Sequence, residues 1–195
     1  MKRILLTALA VAAAAGAAPA MAQSADTTSK SGVYGNLGWN ESGVQGANTG
    51  AINARVGGRW GDYVGLEGEL NYGLTSGSRT FAPGTPAQTS VDVKQKLGAA
   101  VYGVGFLPLG PNFDLLARVG YGESRFGITP SGLPEYTAKE NGIRYGAGAQ
   151  YSMAGGLGVR VDWTREHLGD LHDSGGYFSG NRNANVWAVA LTHKF

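Results

Sequence analysis

From Ile52 to Trp60 every second residue is apolar or glycine, and after a three-residue break the run Val64 to Tyr72 repeats the pattern. In the first run Ile52, Ala54, Val56, Gly58 and Trp60 share one parity, and Asn53, Arg55, Gly57 and Arg59 take the other. In the second, Val64, Leu66, Gly68, Leu70 and Tyr72 oppose Gly65, Glu67, Glu69 and Asn71. A period of two is the side-chain period of a β-strand, so each run predicts a strand with one apolar and one polar face. Gly61-Asp62-Tyr63 between them predicts a tight turn. A hairpin centred on Asp62 sets Arg55 opposite Glu69 and Arg59 diagonal to Glu67, placements at which opposite charges attract across the ladder.

The alternation recurs along the chain. Val33, Leu37 and Trp39 define a first strand before a glycine-rich polar loop over 41–50. A fourth strand starts near Val91, with Val93, Leu97, Ala99 and Val101 on one face and Lys94, Lys96, Gly98 and Ala100 on the other. Tyr102, Val104 and Phe106 then take the formerly polar parity, which predicts a bulge near Gly103 or Gly105. Four more strands start at Phe113, Ile143, Leu157 and Trp187. Long loops over 75–90, 124–141 and 165–183 alternate with short turns at Asp62, at 107–112 and at Ala154-Gly155-Gly156. Short turns at one end and long loops at the other are the layout of barrels that cross a membrane. Closure is required there, because lipid offers no partner to an unpaired backbone group. The expected fold is all-β, an eight-stranded antiparallel up-and-down transmembrane β-barrel.

The start of the chain reads as an export signal. Met1, Lys2 and Arg3 are followed by an apolar run to Ala18, and Ala20-Met21-Ala22 forms an A-x-A site. That order is a secretory signal peptide cleaved between Ala22 and Gln23. The expected organisation is a signal over 1–22, a loose polar lead-in over 23–31 and a barrel over 32–195. The chain has no cysteine, which excludes disulfides and a lipid-modified cysteine anchor. A net charge of +2 gives no case for binding nucleic acid.

Alternation alone does not say which face is inside, since a soluble carrier barrel would bury the apolar one. Aromatic residues sit at the strand ends on the apolar face. Trp60, Phe113, Tyr151 and Phe195 lie near the short turns, and Trp39, Tyr72, Tyr121, Trp163 and Trp187 near the long loops. Two such girdles are what a bilayer with two interfaces selects. Glycine supplies 33 of 195 residues, against a usual share of about 7%, and many of these crowd the polar face. A narrow barrel interior needs small residues beside its bulky charged ones. Lipid is therefore expected outside and the polar face within.

The final strand, Trp187-Ala188-Val189-Ala190-Leu191-Thr192-His193-Lys194-Phe195, resembles the C-terminal signal read by the outer-membrane assembly machinery, with Trp187, Val189, Leu191 and Phe195 at matching parity. His193 departs from the aromatic common in that position. From Gly32 to Phe195 the chain resembles small porin-family barrels of the OmpA/OmpX type. The resemblance implies an integral protein of the Gram-negative outer membrane. It implies outer-membrane lipid and lipopolysaccharide as surroundings, and the assembly machinery and periplasmic chaperones as partners in biogenesis. An extracellular ligand of unknown nature is compatible with it. No domain is expected after Phe195, so the peptidoglycan-binding half of the OmpA type is expected to be absent.

The inward set is read as Arg55, Arg59, Lys94, Lys96, Arg118, Arg144, Arg160 and Lys194 against Glu67, Glu69 and Asp162. One reading is a structural interior of paired charges, since an eight-stranded barrel is just wide enough for side chains to fill. The other is a narrow solute path whose positive excess favours anions. His172-Asp173-Ser174 is similar to part of the lipid A deacylase motif. It lies in a glycine-rich loop with no glutamate after Glu166, and reads as an ordinary polar loop. No catalytic residue, cofactor or metal site is expected. A structural or surface-interaction role, with loops outside the cell, is the leading expectation.

Overall fold

The computed structural model describes residues 30–44, 47–81, 89–132, 134–168 and 183–195. The signal segment, the lead-in before Lys30 and the His172-Asp173-Ser174 stretch lie outside the described residues. The strands are β1 (Gly32–Val44), β2 (Ala47–Trp60), β3 (Val64–Gly73), β4 (Ser76–Phe81), β5 (Thr89–Pro108), β6 (Phe113–Pro130), β7 (Tyr136–Ser152), β8 (Leu157–Leu168) and β9 (Asn183–Lys194).

Nine segments make eight staves. Both β3 and β4 pair with β5, so they are two parts of one stave, interrupted at Leu74 and Thr75. The backbone N–H groups of those two residues both donate to the Gly50 carbonyl, at 2.9 and 3.1 Å. Every other sequential pair is antiparallel, and β1 pairs with β9. The sheet is thereby a closed ring with no free edge through the membrane. The tight turns sit where glycine supplies a left-handed backbone, at Gly61 (φ +63°) and Gly155 (φ +77°).

The burial pattern is inverted relative to a soluble protein. Leu37, Val119, Tyr121, Val189 and Leu191 are each more than half exposed on the outer wall. Arg160, Glu67 and Asp162 are fully buried inside. Only a hydrocarbon solvent makes this arrangement favourable, since water would penalise the outer wall and a dry lumen would penalise unpaired charge. The two girdles lie on that outer wall, Trp60, Phe113, Tyr151 and Phe195 at one end and Trp39, Tyr72, Tyr121 and Trp187 at the other, all exposed.

The strands run further than the alternation predicts. Much of the predicted loop over 75–90 is strand in β4 and β5, and the predicted loop over 124–141 is mostly the continuation of β6 and β7. Beyond the girdle the outer wall meets water, so Arg125, Thr129 and Lys139 stand where apolar residues stand lower down. The apolar stripe that marks a strand in sequence is lost there, though the ladder continues. This protruding sheet has its own small core of Val91, Phe126, Ile128 and Ala138, with Val93 and Tyr136 packed against it.

The bulge predicted near Gly103 or Gly105 is not there. The register shift lies between Gln95 and Leu97, leaving Lys96 as the extra residue. Below it the parity is unbroken, and Tyr102, Val104 and Phe106 point inward. With Tyr34, Ala100 and Leu116 they form an apolar cluster in the periplasmic half of the lumen. Gly98 and Ala100 continue into Tyr102, Val104 and Phe106 as one inward face, which Lys94 and Lys96 leave at the shift.

Candidate functional site

The lumen is crossed by a network of buried ions. Glu67 and Glu69 project inward from β3, two residues apart on one face. Arg160 of β8 donates to both oxygens of Glu67, through Nη1 and, at 3.1 Å, through Nη2. Its Nε bonds Asp162 at 2.9 Å. Arg55 of β2 donates to Glu69 at 2.7 Å and to Asp162 at 2.6 Å. Arg144 of β7 pairs with Glu166 at 2.9 Å and lies 3.7 Å from Glu69. Arg118 of β6 stands 3.6 Å from Glu69, stacks over the Tyr102 ring at 4.7 Å and donates to the Thr164 hydroxyl. The phenols of Tyr34 and Tyr102 donate to Glu67 (2.7 Å) and Glu69 (3.2 Å).

Two further layers flank this network. Toward the outside, Asn40 and Asn53 both donate to the Asn71 side-chain oxygen, at 2.8 and 2.6 Å, and Asn71 donates to Glu69 at 2.9 Å. Toward the periplasm, Arg59 and Lys30 pair with Asp114, at 3.2 and 3.0 Å, and the Arg59 guanidinium lies 4.2 Å from the centre of the Phe106 ring. A cavity of about 400 Å³ opens at that end, lined by Lys30, Arg59, Asp114 and Lys194 and reaching Tyr34 and Phe106.

The inward glycines make this filling possible. A Cβ on Gly57 would meet the Tyr34 ring at 2.5 Å, and one on Gly122 would meet Arg144 Nε at 2.6 Å. Each large side chain lies over a position where a neighbouring strand has none.

Of the residues read as inward from the sequence, Arg55, Arg59, Glu67, Glu69, Arg118, Arg144, Arg160 and Asp162 are buried in the lumen. Lys94 and Lys96 are not. Both are exposed on the outer wall, Lys96 as the extra residue of the bulge and Lys94 because that residue reverses parity above it. Lys194 is exposed at the periplasmic mouth, beside the cavity. Arg59 pairs with Asp114 and not with its diagonal neighbour Glu67, which Arg160 takes. Asp114, Glu140 and Glu166 are three further inward carboxylates, outside the set read from the sequence. The parity of β6 marks Asp114, and Glu166 continues the parity of Asp162 and Thr164. Five arginines and six carboxylates are buried among the described residues, so the positive excess read from the sequence disappears.

Trp187, Val189 and Leu191 lie exposed on the lipid face of β9, and the Phe195 N–H donates to the Val33 carbonyl at 2.9 Å, tying the C-terminus to β1 across the seam. Among the described residues no cluster of His, Asp or Glu is arranged to hold a metal.

A closed barrel with a polar, ion-paired lumen and an apolar wall banded by aromatic rings is an outer-membrane protein. The chain belongs to the outer membrane protein β-barrel domain family, whose model matches residues 8–195. Three solved structures share the fold at low identity. Ail, the attachment invasion locus protein of Yersinia pestis, solved in complex with the heparin analogue sucrose octasulfate, is 14% identical with a TM-score of 0.54, covering 84% of this chain and 97% of that one. Neisserial surface protein A is 11% identical with a TM-score of 0.55, over 84% and 96%. The outer membrane protein OprG from Pseudomonas aeruginosa is 12% identical with a TM-score of 0.54, over 85% and 97%. No curated protein matches the sequence.

Proposed function

We propose that the protein is a closed membrane anchor that holds a rigid β-sheet platform outside the cell for contact with its surroundings, and that it is neither a solute pore nor an enzyme. The observation that carries this reading is the filled lumen. Glu67 and Arg160 stand on β3 and β8, four staves apart in a ring of eight, and their contact spans the barrel. The apolar cluster around Tyr102 and Phe106 fills the section below. A solute would have to break several buried ion pairs at once, and separating such a pair strands a charge in a dry interior. The balanced charge also removes the basis for anion preference. The protruding β4–β7 sheet with its own core supplies a stiff surface rather than a loose loop, and binding functions concentrate at such exposed sites.

A narrow water or ion path is the second reading. It is favoured by buried polar atoms without a hydrogen-bond partner, among them Asn36 Nδ2 and Oδ1 and Arg118 Nε, which offer sites to water. Planar-bilayer recording of the refolded protein separates the two. Silence under applied voltage is expected, and stable single-channel steps would replace the anchor with the path.

A further inference from the structure

The cavity at the periplasmic mouth is lined by cations that the fold holds in place. Lys30 is fixed by two turns. Its backbone N–H donates to Asp62 Oδ1 at 3.2 Å, between β2 and β3, and its ammonium donates to the Gly110 carbonyl at 2.9 Å, between β5 and β6. Arg59 donates to both Asp114 oxygens at 3.2 Å and to the Asp62 carbonyl, and it stacks over the Phe106 ring. Lys194 enters from β9. A Cβ on Gly32 would meet Lys194 Cε at 2.9 Å, so the lysine stem lies against the first residue of β1, itself part of the cavity wall.

The charges around the cavity do not balance. Lys30, Arg59 and Lys194 line it, and Asp114 is the one carboxylate among the lining residues. Asp114 is shared between Lys30 and Arg59, and Lys194 makes no ion pair among the described residues. Like charges gathered around one concavity repel, and an anion placed between them turns repulsion into attraction. The wall itself shows which anion fits, since Asp114 presents a carboxylate to an ammonium and a guanidinium at once.

The remaining wall is partly apolar, with Phe106, Pro111 and Met153 beside Gln150 and Thr192. A carboxylate on a short apolar body matches both parts. Inorganic phosphate has no apolar part and brings a second negative charge toward Asp114. The volume of about 400 Å³ lies within the range of small-molecule sites, about 300–1,000 Å³. Above the cavity the cluster containing Tyr34 and Phe106 fills the lumen, so a ligand entering from the periplasm is held at the mouth.

We propose that the periplasmic mouth binds small organic monocarboxylates, with the ligand carboxylate lying between Lys194 and the Lys30–Arg59 pair. The site is independent of the outer platform and of whether the lumen conducts.

The test follows the refolded full chain in detergent micelles at neutral pH by two-dimensional amide NMR. Butyrate, its neutral isostere butyramide, or inorganic phosphate is added. Butyrate is expected to move the amide signals of Gly32, Asp114 and Gly156 saturably in the millimolar range, and butyramide and phosphate to bind more weakly. Lys194→Gln is expected to weaken butyrate binding about tenfold or more, the scale of one charge-assisted hydrogen bond, and Lys194→Arg to retain it. Lys139→Gln, on the outer wall, is expected to leave binding unchanged. Heat-modifiable gel migration confirms that each variant is folded. Absence of saturable movement with butyrate overturns the proposal, as does undiminished binding by folded Lys194→Gln. Equal binding of butyramide would show that charge plays no part, and equal binding of phosphate would make this a general anion site; either result overturns it. So does an equal loss in Lys139→Gln, which would reduce the effect to net charge.

Discussion

The Arg160 guanidinium meets the Glu67 carboxylate face to face across the barrel, although the two residues are 93 positions apart in sequence. Neither has water to fall back on, since both side chains are fully buried. Removing one partner strands the other, at a cost of about 3–5 kcal/mol. Glu67→Leu and Arg160→Met are each expected to lose about that much in urea unfolding from lipid vesicles, followed by tryptophan fluorescence. The double variant should lose less than the sum, with a coupling of roughly 0.5–3 kcal/mol. Additive losses would mean that the pair contributes no more than its separate parts.

Two glycines on opposite walls should respond oppositely to alanine. At Gly120, inside, a Cβ would meet the Val101 carbonyl at 2.1 Å and the Tyr102 ring at 2.7 Å. Overpacking of that kind costs about 1–3 kcal/mol. At Gly103, outside, the nearest atom is 3.9 Å away. Gly103→Ala is expected to stabilise by about 0.5–1 kcal/mol, the usual penalty of glycine in a strand. The same unfolding measurement reads both.

Charge on the outer wall should be penalised by depth. Ala117 lies midway between Phe113 and Tyr121 on the lipid face of β6. Ala117→Arg is expected to cost about 2–4 kcal/mol, and Tyr121→Arg at the girdle about 0–1 kcal/mol from the charge itself. Equal costs at the two positions would contradict a bilayer around this wall.

The protruding sheet should loosen without the barrel. Phe126 is buried in the small core with Val91, Ile128 and Ala138, beyond the luminal ion network. Phe126→Ala is expected to raise amide hydrogen exchange in 89–94 and 126–138, while the folded barrel still migrates as a compact species in unheated gels. Loss of both together would mean that platform and barrel fold as one unit.

Much of this was legible in the sequence because side-chain parity in a strand is a local property. Arg55, Arg160 and Asp162 declare their face through their immediate neighbours, and the apolar positions with aromatic ends declare lipid. Parity carries only until the count slips, and one extra residue at Lys96 was enough to reverse Lys94. The extensions of β6 and β7 were hidden because the outer face turns polar beyond the girdle, so the apolar stripe counted lower down stops there, and the small core of Phe126, Ile128 and Ala138 lies on the other parity.

The sequence by itself determined the class, eight staves with a polar interior and a membrane-facing wall. The order of chain alternation, turn and aromatic girdle requires nothing distant. Which charges meet was decided only by closure of the ring, which brings β3 opposite β8 and sets Arg160 on Glu67, Arg55 on Asp162 and Arg59 on Asp114. Those contacts depend on strand tilt and stagger around the whole barrel, and no local stretch of chain encodes them.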